Sequence, residues 1–171
     1  MAGQKRSKKV IRRILLAVLV FLVFILQNTP GMPNHIGRAS FFYLVPLIIC
    51  IGVFETTAAA TWLGLFAGLL WDCVSAELPG YHSIMLMCFG CIASLLVSNV
   101  FLKNLMTAMV MGAVGIILYC FLYWFFFLWL TGAQSAGDVF WSVYFPTMLL
   151  TVAVLPLAYL ILSFMSKKLK D

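Results

Sequence analysis

The stretch that decides the fold is residues 41–74, FFYLVPLIICIGVFETTAAATWLGLFAGLLWDCV, in which Glu55 and Asp72 are the only charged residues. As a single α-helix this stretch would extend about 51 Å, because each residue adds about 1.5 Å. The hydrocarbon core of a bilayer is only about 30 Å thick. The stretch therefore has to fold back on itself, and the polar residues around Glu55 predict a tight turn between two antiparallel helices.

The composition of the whole chain places such helices in a membrane. Of 171 residues, 64% are apolar and only 9% are charged, whereas about a quarter of the residues in a soluble domain are charged. A small soluble protein could not hide so much apolar surface. The sequence thus argues against a soluble domain and predicts an all-α integral membrane protein, with residues 1–171 forming one polytopic domain.

Apolar segments and the polar breaks between them predict a bundle of six transmembrane helices. The breaks are the turn at Glu55, the Pro79-Gly80 pair, the Lys103-Asn104 pair and two loops at residues 28–38 and 131–138. They leave helices at about residues 14–29, 40–54, 56–75, 82–102, 105–130 and 141–165, behind a basic tail of residues 1–13.

The first apolar segment also has the pattern of a secretory signal peptide, since it follows a basic stretch. The residues after it, Gln27-Asn28-Thr29-Pro30, lack the small residues at A-x-A spacing that a cleavage site requires. We therefore expect a retained first helix, with Arg12 and Arg13 reaching toward the membrane surface.

The distribution of basic residues predicts the orientation. Eleven Lys and Arg give the chain a net charge of +6. Six crossings would place both tails and the turns at Glu55 and Lys103 on one side of the membrane. Of the Lys and Arg residues, only Arg38 would lie on the other side. Because cytoplasmic segments are enriched in Lys and Arg, we predict a cytoplasmic-membrane protein with both termini in the cytoplasm. Anionic lipids suit both basic tails better than nucleic acid does.

Small residues recur every four positions in the predicted third and fourth helices. Gly64, Gly68 and Asp72 share one face of the third helix, and Gly90 and Ser94 share one face of the fourth. A Gly-x-x-x-Gly pair lets another helix approach closely. Three interpretations stay open: packing within the bundle, a surface for another membrane protein, and the lining of a substrate cavity.

Asp72 is a candidate functional residue because an ionisable group within the membrane is costly unless it is wet or paired. The structural interpretation is a carboxylate that reaches water or accepts hydrogen bonds from the start of the fourth helix, with His82 as a candidate partner. The alternative is a proton relay or ligand site, although a pump normally carries more than one deep charge.

Nothing in the sequence predicts catalysis, a cofactor or a metal site. The cysteines lie in or at the ends of apolar segments, and Cys88-x-x-Cys91 has no second pair, so packing is favoured over a redox or zinc role. The chain carries no phosphate-binding loop, dinucleotide fingerprint or hydrolase nucleophile motif. We expect a protein that is not an enzyme.

The order of the small and polar residues resembles the signature of the rod-shape-determining MreD family. Gly64 is followed by Gly68-Leu69-Leu70-x-Asp72 and, after a short loop, by Gly80-x-His82. The length, the basic N-terminus and the short second helix fit the same family, and the motif covers about residues 63–94. One departure is Glu77-Leu78-Pro79, where other members often carry small or polar residues.

The resemblance implies a scaffold of the bacterial cell-elongation (rod) complex. Such proteins bind MreC, act with MreB, RodA and a penicillin-binding transpeptidase, and help to position peptidoglycan synthesis and so control cell shape. The fold is also similar to the substrate-binding S components of energy-coupling-factor vitamin transporters, which is the alternative function. An S component would need an outward-facing cavity with polar or aromatic walls, and the sequence has few polar candidates there.

Overall fold

The structure, a computed structural model, describes residues 2–29, 35–36, 39–75, 79–99, 103–132 and 136–168. In these residues the chain forms six helices. The first four are α1 (Ala2–Asn28), α2 (Leu44–Phe54), α3 (Thr57–Asp72) and α4 (Tyr81–Asn99). The fifth, α5 (Leu105–Trp124), continues as a π-helical turn, Phe125–Trp129. The sixth, α6, comprises Ala136–Val139, a π-helical turn at Phe140–Tyr144, and Phe145–Lys168.

Four of the described helices are long and apolar enough to cross a membrane. They are Lys9–Asn28, Tyr81–Asn99, Leu105–Trp129 and Gly137–Lys168. With 11 and 16 residues, α2 and α3 are shorter. The structure confirms the helical fold and several helices of membrane length, while the full set of six crossings stays a prediction.

Some helix ends differ from those expected. Helix α1 begins at Ala2, so the basic tail is helical; Lys and Arg are good helix formers, and Arg12 contacts the end of α2. Helix α2 begins at Leu44, and before it Ala39–Ser40 pairs with His35–Ile36 as two short antiparallel strands. The predicted turn at Glu55 is present. Three features considered in the sequence lie outside the described residues: the end of the fourth helix at residue 102, Arg38 and Glu77.

Helix α2 lies at the centre of the bundle. Ten of its eleven residues are buried, and it contacts all five other helices. At about 16 Å it is too short to span the hydrocarbon core alone. A helix that is apolar on every side is suited to burial, and α2 is surrounded by the other helices.

Side chains of α1 and α6 hold the extended segment that leads into α2. The Ser40 N–H donates to Thr147 Oγ1 at 3.1 Å. The Phe42 N–H donates to Thr151 Oγ1 at 3.3 Å, and the first N–H of α2 donates to Gln27 Oε1 at 3.1 Å. Both threonines are buried. Buried backbone N–H groups outside a helix need hydrogen-bond partners within the protein, and these side chains provide them.

Candidate functional site

The most extensive contact between described helices joins α3 and α4, and glycine makes it possible. A Cβ placed on Gly68 would lie 2.6 Å from the carbonyl oxygen of His82. A Cβ on Gly64 would lie 2.9 Å from the carbonyl carbon of Leu86. Both distances are below van der Waals contact, so the two backbones touch where any larger residue would separate them.

The same contact continues through the predicted small face of α4. A Cβ on Gly90 would lie 2.6 Å from the Ala60 carbonyl oxygen. Farther along, the buried Ser94 hydroxyl donates to the Glu55 carbonyl oxygen at 3.0 Å and lies 3.2 Å from the Thr57 hydroxyl. The small faces of α3 and α4 therefore meet each other, as the interpretation of internal packing expected.

Asp72, at the end of α3, caps the beginning of α4. Its Oδ1 accepts a hydrogen bond from the His82 N–H at 3.1 Å, and its Oδ2 accepts one from the Ser83 N–H at 3.0 Å. The Ser83 hydroxyl also donates to Oδ2. The first N–H groups of a helix lack intrahelical partners and carry partial positive charge. The predicted hydrogen bonds to the start of the fourth helix are confirmed.

Gly80 shapes the connection that allows this cap. Its φ of +93° lies in the left-handed region, which residues with a Cβ rarely adopt. Helix α4 begins at the next residue, Tyr81. The backbone at Gly80 thus turns the chain so that the first N–H groups of α4 face Asp72.

The side chain of His82 points into an aromatic cluster. It is 2% exposed, and its Nδ1 lies 2.9 Å from the Tyr119 hydroxyl of α5. The Trp71 ring stacks on the imidazole with 4.5 Å between ring centroids. Asp72 therefore contacts the backbone N–H of His82, whereas the His82 imidazole contacts Tyr119 and so connects α4 to α5.

A cavity of about 250 Å³ borders this aromatic cluster. Six rings line it, contributed by Phe42, Trp71, His82, Tyr119, Tyr123 and Tyr144, together with the hydroxyls of Ser40 and Thr147. Of these, only His82 was a candidate site residue in the sequence. Tyr119 and Tyr123 lie four residues apart on one face of α5. The other rings lie on separate segments of the chain, so no spacing pattern connects the whole set.

The cysteines do not form a recognisable site. All five are free thiols, and Cys50 and Cys120 are buried in the bundle. Across the ranges that the structure describes, no three His, Cys, Asp or Glu side chains lie close enough to share a metal ion.

Comparisons of the chain with models of known protein families, with curated proteins and with solved structures find no match. The resemblance to the MreD family therefore depends on features of this sequence alone and stays a prediction.

Proposed function

We propose that this protein is a non-enzymatic membrane scaffold of the MreD type. The observation that supports the proposal is the set of contacts that the motif residues make between α3 and α4. Gly64, Gly68 and Gly90 bring two helix backbones into contact, and Asp72 joins the end of one helix to the start of the next. Residues engaged in this way make a rigid pair of helices, which a scaffold needs.

The proposal includes six crossings and cytoplasmic termini. Arg12 of α1 donates to the Phe54 carbonyl oxygen at 3.0 Å, and the Tyr159 ring of α6 lies 5.2 Å from the Phe54 ring. The beginning of α1 and the final third of α6 therefore lie at the same end of the bundle. This arrangement supports an even number of crossings, with the basic residues of both tails on the cytoplasmic side.

The partner that we propose is a protein like MreC with one transmembrane helix, in a complex that also contains MreB, RodA and a penicillin-binding transpeptidase. A cleft of about 260 Å³ between α4 and α5 is the surface that we assign to the partner helix. Its walls are apolar and include Phe89, Ile92, Leu96 and Val114. Because helix association in lipid depends on close packing, a concave surface offers more contact than a convex one.

Purification of the full chain in a mild detergent tests this function. We expect a bitopic protein with a large outer domain to purify with it. Val114→Trp should fill the cleft and reduce the recovered partner several-fold, while Leu160→Trp, at an exposed apolar position of α6, should not. Recovery of paired ATPases in place of the bitopic partner would contradict the scaffold.

The aromatic cavity favours a second candidate, the S component of a vitamin transporter. Rings and hydroxyls converge there, as they do in small-molecule sites, although about 250 Å³ is slightly below the usual range of about 300–1,000 Å³. Mass spectrometry of the gently purified protein distinguishes the two functions. A vitamin-sized molecule that is retained by the wild type and lost in Trp71→Ala would favour the transporter subunit.

A further inference from the structure

The end of the bundle remote from Asp72 carries a basic cavity of about 570 Å³. It forms where α1, the turn between α2 and α3, the end of α4 and the residues before α5 come together. Lys9, Arg12, Arg13 and Lys103 line it, and Glu55 is the only carboxylate among the described lining residues. Basic residues of α1 and the distant Lys103 thus converge on one space.

Only one of these cations is neutralised by the carboxylate. Arg12 Nε lies 2.5 Å from Glu55 Oε1, and a second nitrogen of the same guanidinium donates to the Phe54 carbonyl oxygen. Arg12 is therefore fixed in the cavity wall. Lys9, Arg13 and Lys103 leave an excess of positive charge, which an anion would balance.

The beginning of α3 adds to this preference. Thr56, the residue before α3, makes no side-chain cap, and both Thr56 and Thr57 line the cavity. The first N–H groups of a helix favour a nearby anion. Their partial positive charge acts in the same direction as the three cationic side chains.

An apolar groove continues from the basic cavity. Arg13 lines both spaces, and the groove of about 450 Å³ lies between α1 and α3. Its other walls are Ala17, Ala58, Ala59, Trp62, Leu63 and Phe66. The α3 residues extend along about 12 Å of helix, and small alanines keep the groove open beside Trp62, which is 70% exposed.

We propose that this end of the protein binds one anionic membrane lipid, with its headgroup phosphate in the basic cavity and an acyl chain in the groove between α1 and α3. The excess positive charge selects an anion. The apolar groove that begins at Arg13 selects a lipid over free phosphate or an acidic peptide. This site goes beyond the scaffold function and does not depend on it.

Native mass spectrometry of the full chain in a neutral detergent tests the proposal with three probes: phosphatidylglycerol, phosphatidylcholine and inorganic phosphate. We expect one phosphatidylglycerol to bind in preference to both others. The double substitution Arg13→Gln and Lys103→Gln should lower that binding constant about 25-fold, since each cation near a membrane surface contributes about 1 kcal/mol.

The matched control removes two charges at the same end of the bundle but outside the cavity. Lys167→Gln with Lys168→Gln should leave phosphatidylglycerol binding nearly unchanged, because both lysines lie beyond the lining residues. Equal losses in the two double variants would overturn the proposal in favour of diffuse charge attraction. Inorganic phosphate binding as tightly as the lipid would also overturn it.

A fluorescence measurement tests whether an acyl chain occupies the groove between α1 and α3. Phosphatidylglycerol with brominated chains should quench the wild-type tryptophan emission more strongly than that of Trp62→Phe, because Trp62 lines the groove. Circular dichroism checks that each variant keeps its helix content. Equal fractional quenching in the two folded proteins would show that the chain does not occupy this groove.

Discussion

At Asp72, a carboxylate near the end of one helix lies against the beginning of the next. A negative charge at a helix C-terminus opposes the macrodipole of that helix, but the N–H groups that begin α4 compensate for it. The His82 and Ser83 N–H groups each donate to one carboxylate oxygen. A charge that looked costly in the sequence therefore stabilises the connection between α3 and α4.

The cap at Asp72 predicts different costs for two substitutions. Asp72→Ala removes both acceptor oxygens and should lower the free energy of unfolding by about 0.5–2 kcal/mol, as the loss of other N-caps does. Asp72→Asn retains one acceptor and should cost less. Unfolding by denaturing detergent measures both, with Asp138→Asn at an exposed site as the control. An Asn cost equal to the Ala cost would indicate that the charge, not the cap, is required.

The glycine contact predicts that even one added methyl group is harmful. Gly68→Ala places a Cβ against the backbone of α4, where no flexible side chain can move aside. We expect a loss of about 1–3 kcal/mol in unfolding free energy, the usual cost of overpacking. Gly137→Ala is the matched control, because a Cβ there would meet no atom within 4 Å. Comparable stability of the two variants would contradict the close approach of α3 and α4.

The residue pattern predicted part of this site. Four-residue spacing placed Gly64 and Gly68 on one helix face, and the structure confirms that this face is in contact. The pairing of His82 with Tyr119 was not predictable, because 37 residues separate them and no spacing pattern connects one to the other. Such pairs depend on how α4 and α5 are placed, which local sequence does not specify.

Hydropathy predicted that α2 is a helix but not where it lies in the bundle. Its apolar stretch predicted a helix, and the polar residues at Glu55 predicted where it ends. Its central position was not predictable, because lipid and the interior of a bundle select the same apolar side chains. Thr147 and Thr151 accept hydrogen bonds from the segment that leads into α2. In the sequence they are distinguished only as polar residues in an apolar helix.

The entry segment of α2 predicts a cost for removing those hydroxyls. Thr147→Val or Thr151→Val keeps the side-chain shape but leaves the N–H of Ser40 or Phe42 without its acceptor. Each change should lower the free energy of unfolding by about 1–3 kcal/mol, the cost of an unsatisfied buried polar group. Denaturing-detergent titration measures this loss.

The control for these substitutions is Thr61→Val. The Thr61 hydroxyl donates only to the Thr57 carbonyl oxygen within its own helix, at 2.7 Å, so its loss leaves no backbone N–H without an acceptor. If Thr61→Val destabilised the protein as much as Thr147→Val, the entry segment would not depend on α6.

For the whole molecule, the two ends of the bundle differ in chemistry. Near one end, Asp72, the aromatic cluster and its cavity lie together. At the other, the start of α1, the Glu55 turn and Lys103 meet around the basic cavity. The sequence predicted this separation through the clustering of Lys and Arg. It could not predict that the cations enclose a space, since that depends on tertiary packing.

We propose that six helices cross the membrane and return the chain to the side where it began. Reporter tags fused separately to the N-terminus and the C-terminus of the full chain test it most directly. A fluorescent protein that matures only in the cytoplasm, and a phosphatase that is active only outside it, report the location of each end. We expect fluorescence and no phosphatase activity at both termini. Fluorescence at one terminus with phosphatase activity at the other would contradict it.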